Sequence, residues 1–254
     1  DPLVFKPGKN QGQVVRDEQH ESEFVQNYGT RIDSHGDFIE YPHAGVLNTH
    51  SFLNRYPTTD TNRNRARSRW TFYHFLGVDI EKSASRTTDP EALADTDNPT
   101  MHNPACTVCH ELLDPVAGAF QNYGNDGKYR DGHLGRDALP DSYKYADEEN
   151  TDDSNSYHEG DTWFRDMRAP GFDGGLVNNP DHSLSWLGER IADDPRFATA
   201  AIKFWWPAIM GSEVAKAPEI ATDANFSDQL TLFEEQNKFI SELGESFSQG
   251  IRGG

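Results

Sequence analysis

The string Cys106-Thr107-Val108-Cys109-His110 decides the reading, because it holds the only two cysteines among 254 residues. A C-x-x-C-H string is the attachment signature of c-type haem. Two cysteines three apart on a helical turn project to one side and reach the vinyl groups along one porphyrin edge. The histidine that follows then aims its imidazole at the iron, as the proximal ligand. Other uses of the pair stay open. A dithiol redox motif wants a βαβ context, which the neighbouring residues lack. A zinc site needs two further ligands, and there is no second C-x-x-C. A disulfide across three residues is the last alternative.

Outward from the string, Asn103-Pro104-Ala105 reads as a turn into a short helix. Leu112 and Leu113 follow the histidine and are expected against the porphyrin. Asp114-Pro115 is expected to end that helix, and Val116 to Tyr123 to form a second one stopped by Gly124. A backbone carbonyl near Pro115 is the expected acceptor for the second nitrogen of His110.

The segment CTVCHELLDPVAGAFQNYGNDGKYRDG, from Cys106, resembles the haem segment of the planctomycete-type cytochrome c family. Cys106, Cys109, His110, Asp114, Pro115, Phe120, Asn122, Tyr123, Gly127, Lys128, Tyr129 and Arg130 fall in step with that family's pattern. Gln121 and Gly124 depart from it, standing where Glu and Asp are usual. The stretch from His43 to Gly77 is similar to the family's pre-haem segment, and that from Phe172 to Glu213 to its C-terminal module. The resemblance implies one covalent haem c and electron transfer, and names no substrate. It also implies that the chain is the C-terminal portion of a larger secreted protein. The first residue, Asp1, equally suits a mature product or a fragment.

The fold expected is mainly α: cytochrome c-like helices around one covalent haem, with long loops and few short strands. Residues 1–140 would hold the pre-haem and haem-binding segments, 141–170 an acidic insert, and 171–254 a helical module packing on the haem region. Residues 1–60 are polar and turn-rich, with a short strand at Asp37 to Tyr41. Asn62 to Leu76 reads as a helix with Trp70, Tyr73 and Leu76 on one face and Gly77 as its C-cap. Leu184, Leu187 and Ile191 make a helical stripe. Asp194-Pro195 opens a helix carrying Phe197, Ala201, Phe204 and Ala208. Ser227 caps a final helix bearing Phe233, Ile240, Leu243 and Phe247, and Gly250 to Gly254 reads as a frayed tail.

The insert over 131–162 is rich in acid, glycine and asparagine, while Tyr143, Tyr145 and Tyr157 favour a folded loop. Asp152, Asp153, Asn155, Glu159 and Asp161 offer oxygens suited to Ca²⁺, although the glycine and bidentate glutamate of an EF-hand are missing. A solvated loop is the preferred reading, with Ca²⁺ the alternative.

The sixth iron ligand separates a carrier from an enzyme. Met167 is the leading candidate, in the loop Arg165-Asp166-Met167-Arg168-Ala169-Pro170-Gly171. Met101 lies too close to Cys106 to swing to the opposite haem face, and Met210 reads as core. His74 and His102 come first among the histidines, while His50, His133, His158 and His182 read as surface or loop residues.

The formal charge is −19, from 42 acidic and 23 basic residues. That balance disfavours nucleic acid and anionic membrane surfaces, and suits a redox partner with a basic docking surface or simple solvation. No window has the roughly 18 apolar residues of a membrane span. Covalent haem attachment places the chain outside the cytoplasm, in the periplasm or beyond it. Electron transfer is thus the leading function. A haem enzyme of peroxidase or oxygenase type is the alternative, with Trp163, Trp186, Trp205 and Trp206 relaying radicals or simply packing. A haem-bearing structural module of a larger assembly is the third reading. No Ser-His-Asp order, P-loop, Rossmann glycine string or H-E-x-x-H helix is present.

Overall fold

The computed structural model describes residues 30–32, 38–40, 43–59, 61–127, 129, 163–164 and 167–252. It is mainly α, as expected. Strands β1 (Thr30–Ile32) and β2 (Phe38–Glu40) pair antiparallel, with Arg31 opposite Ile39. Helices follow at α1 (His50–Arg55), α2 (Arg65–Leu76), α3 (Ile80–Ser83), α4 (Pro90–Ala94), α5 (Pro99–His102) and α6 (Pro104–Ala119). A second small hairpin, β3 (Gly171–Phe172) with β4 (Gly175–Leu176), precedes α7 (Ser183–Asp193), α8 (Pro195–Met210) and α9 (Phe226–Arg252). The expected strand near residues 37–41 is β2. The acidic insert, with its five Ca²⁺ candidates, lies outside the described residues, as do His133 and His158.

Two compact units make up the chain, one of Asp1–Trp70 with Ile80–Arg190 and one of Thr71–Asp79 with Ile191–Gly254. Residues 171–190 therefore group with the C-x-x-C-H segment, not with the helices after them.

The first unit is stitched by the polar run before α2. Arg63 and Asn64 both have left-handed backbones, at φ 40° and 66°, a region that asparagine tolerates better than most residues. Asn64 is fully buried, and its side-chain amide donates to the Phe120 carbonyl at 3.1 Å. Arg63 donates to the Trp163 carbonyl and stacks over that ring. Arg67, with no exposed surface, donates to the carbonyls of Leu53, Tyr56, Tyr123 and Gly124 and to the side chain of Asn64. Burial pushes its pKa down to about 9, partly offset by the charges of Asp126 and Tyr123. The guanidinium stays charged at neutral pH and serves as a hub between two stretches of chain more than 50 residues apart.

The buried positions of α2 are Arg67, Ser68, Thr71, Phe72 and Leu76, whereas Tyr73 is exposed. The expected face of Trp70, Tyr73 and Leu76 is therefore off by part of a turn, because three of the five buried positions are polar. The helix does stop at Gly77, whose φ of 69° suits glycine.

Pro115 does not end the helix that bears the C-x-x-C-H string. Residues 104–119 form one continuous helix through it, where a break was expected. Proline inside a helix removes a hydrogen bond and crowds the preceding turn, at about 3 kcal/mol. Glu111, whose carbonyl Pro115 leaves without its helical donor, is an exposed residue. Asp114, disfavoured in helical geometry by the proline after it, is clamped there by its side chain, as described below.

In α7, Leu184, Leu187 and Ile191 are all buried, as their spacing predicts. In the second unit, Asp194 caps α8 by accepting the Arg196 N–H at 2.8 Å, with Pro195 at the first helical position. The buried residues of α8 are Ala198, Ala200 and Trp206, while Phe204 and Ala208 are exposed, so that its expected stripe is rotated. Helix α9 packs along α8, with Trp206 edge-on to Phe239 at 6.2 Å. Ile240 is its fully buried residue, whereas Leu243 and Phe247 are partly exposed. The helix starts at Phe226, ahead of Ser227, and runs to Arg252 through the stretch expected to fray.

Replacing Arg67 by Met is expected to lower unfolding stability by at least about 3 kcal/mol, since four buried carbonyls lose a charged donor together; urea denaturation measures it. Asp194→Ala is expected to cost about 1 kcal/mol at pH 7 through loss of the cap. Hydrogen bonds from Arg196 hold the Asp194 carboxyl below its ordinary value. The stabilisation is therefore complete above about pH 3.9 and is lost as pH falls through the folded-state value. Thermal melts of both proteins should converge in that acid range.

Candidate functional site

Helix α6 places Cys106, Cys109, His110 and Leu113 at positions i, i+3, i+4 and i+7, which share one face. Pro104 at its start and the Asn103 side chain, accepting the Ala105 N–H at 3.0 Å, fix where the helix begins. The last turn of the helix carries Val116, Ala117 and Ala119, all buried. Both cysteines are free thiols and half-buried.

The shared face opens on a cleft of about 470 Å³, within the range of about 300–1,000 Å³ usual for small-molecule and cofactor sites. Arg65, Arg69 and Trp70 of α2 line it, with Glu81 of α3, Arg86 and Leu93. Glu81 draws in two of the cations, Arg69 at 2.7 Å and Arg86 at 3.1 Å. Tyr56 stacks on Trp70 at 5.1 Å, which stiffens that wall.

Beneath the cleft, Nδ1 of His110 lies 2.9 Å from Oδ1 of Asp114, one helical turn on. Asp114 has no exposed surface. Arg65 grips the same carboxylate with two bonds, Nε to Oδ1 at 2.7 Å and Nη2 to Oδ2 at 3.1 Å. Burial pushes the Asp114 carboxyl up; the hydrogen bonds from His110 and Arg65, with the charge of Arg65, outweigh it and hold the group below its ordinary value. An ionised carboxylate only accepts, so Nδ1 carries the proton and donates. The lone pair of the neutral ring is then on Nε2, the nitrogen available to a metal.

The acceptor of His110 is therefore the Asp114 side chain, where a backbone carbonyl near Pro115 was expected. A helix read as continuous would have put His110 and Asp114 at i and i+4, and the assumed break at Pro115 hid that pairing. Arg65 had no signal of its own beyond its place in the arginine-rich run.

Other expected site residues lie elsewhere. Leu113 lines the cleft, whereas Leu112 is exposed and neither it nor Pro115 is among the lining residues. Met167 is buried in a cluster with Trp163 and Ala117. Met101 accepts a contact from Arg168 at 3.6 Å, and His102 is exposed. Trp163 and Trp206 are buried and Trp205 is exposed.

Residues 43–133 match the family model PSCyt3, a protein of unknown function (DUF1588). The name of PSCyt3 suggests a cytochrome c-related domain of planctomycetes. The matched stretch contains the polar run, α2, the cleft and the C-x-x-C-H helix together. No curated protein and no solved structure matches the chain.

Asp114→Ala would strip His110 and Arg65 of their common acceptor and remove the clamp across Pro115. The expected loss is about 1–3 kcal/mol of unfolding stability, read from urea midpoints of protein produced without haem maturation.

Proposed function

We propose that this chain is a c-type cytochrome, carrying one covalent haem and working as an electron carrier outside the cytoplasm. The observation that carries the reading is the shared helical face of two free thiols and an imidazole whose Nδ1 is held by a buried carboxylate. Thiols at Cys106 and Cys109 suit thioether bonds to one porphyrin edge. An imidazole fixed through Nδ1 presents Nε2 as a metal ligand, and such anchoring is the rule for histidines that bind metals. Leu113, Trp70 and Leu93 offer apolar contact, and Arg69 and Arg86 suit the carboxylates that a porphyrin bears. The match to PSCyt3 over the same residues supports the reading.

When bound, haem supplies a one-electron couple. The chain's own part is to tether it, to hold the His110 proton on Nδ1, and to limit water on the Leu113 side. An overall charge of −19 suits brief docking to a basic redox partner, weakened by added salt. Covalent attachment outside the cytoplasm makes the periplasm or the cell exterior the place of work.

The chain exported from a host with haem-maturation machinery should keep its red pigment through acid–acetone extraction. The Cys106→Ala, Cys109→Ala double variant should lose it. A colourless protein, or pigment that washes out, overturns the proposal. A reduced spectrum with sharp low-spin bands, unchanged by CO, marks a carrier; CO-induced shifts would turn the reading to a haem enzyme.

A further inference from the structure

Asp114 lies at the centre of a short chain of hydrogen bonds, Arg65 to Asp114 to His110, that reaches the cleft from below. The carboxylate has no exposed surface, so water does not screen its pull on the imidazole. A carboxylate acceptor draws the Nδ1 proton more strongly than a backbone carbonyl would and gives the ring imidazolate character, raising its basicity as a ligand. A more basic ligand donates more to the metal and favours the higher charge state. Oδ1 is shared between His110 Nδ1 at 2.9 Å and Arg65 Nε at 2.7 Å, so the guanidinium competes for the same lone-pair density.

Resting on the haem reading above, we propose that Asp114 is a positioning residue that biases the iron site toward its oxidised form, and that Arg65 moderates this bias. The pair acts as an opposed set of controls on one histidine. Asp114 strengthens the ligand, and Arg65 weakens Asp114. Asp114 does not touch the cleft's contents, because its carboxylate is enclosed, whereas Arg65 lines the cleft.

The test is spectroelectrochemical titration of the haem-loaded wild type and of Asp114→Asn, Asp114→Glu, Arg65→Gln and Glu81→Gln. In Asp114→Asn the ferrous-to-ferric ratio at a fixed potential should rise at least about tenfold, about 59 mV for one electron. Asp114→Glu, which keeps the charge and an acceptor, should recover much of the wild-type value. Arg65→Gln should move the ratio the other way. Glu81→Gln removes a negative charge from the same cleft without touching His110, and so reads the effect of losing that charge together with the release of Arg69 and Arg86. The shift in Asp114→Asn should exceed it several-fold, and the exchange-protected Nδ1–H resonance of His110 should lose its protection.

A loaded Asp114→Asn protein whose potential moves no further than that of Glu81→Gln overturns the proposal. If Asp114→Asn does not fold, an Arg65→Gln potential that stays put or rises overturns it instead. Failure of the haem reading looks different, since wild type would then carry no covalent pigment to titrate.

Discussion

A single enclosed carboxylate ties sequence, fold and site together. Asp114 accepts from His110 within its own helix and from Arg65 of α2. Its place in the helix is one that the following proline disfavours, so the two bonds do mechanical work as well as electrostatic work. They carry α6 across Pro115 and thereby keep its last turn in line with the turns that bear Cys109 and His110. They also orient the imidazole and lock its tautomer. A charge without solvent is costly unless its lone pairs are filled by donors, and here both oxygens have them.

The rest of the first unit follows the same logic of polar groups met by polar groups. Arg63, Asn64 and Arg67 each send donors to backbone carbonyls, among them those of Trp163, Phe120 and Tyr123. Loop segments that make few ladder bonds of their own are thereby satisfied. A chain with 35% apolar residues has limited means of building a purely hydrophobic core, and buried arginine and asparagine take a share of the load.

This explains what the sequence could and could not disclose. Elements announced by backbone chemistry were legible: the Asp194-Pro195 start of α8, the Gly77 stop of α2, and the cysteine pair with its histidine on one helical face. Elements that depend on tertiary polar contacts were not. The inward side of α2 is led by Arg67, Ser68 and Thr71, which hydrophobic periodicity counts as outward. Pro115 reads as a helix end until Arg65 is known to stand opposite Asp114. Of the candidate site, the two thiols and the imidazole were visible in the string itself, whereas the carboxylate acceptor and its guanidinium clasp needed the fold. Met167, attractive for its Pro/Gly-rich loop, has its place beside Trp163 and Ala117.

Arg67 also has a kinetic side. Its donors bind Leu53 and Tyr56 before the C-x-x-C-H helix in the chain and Tyr123 and Gly124 after it, so this hub fastens the ends of a loop that contains the whole helix. Closing a loop of that span is entropically slow compared with forming the helix inside it. During folding the thiol-bearing turn therefore exists before the knot around it is drawn tight. For that interval both sulfurs are more open than in the folded chain, where they are half-buried.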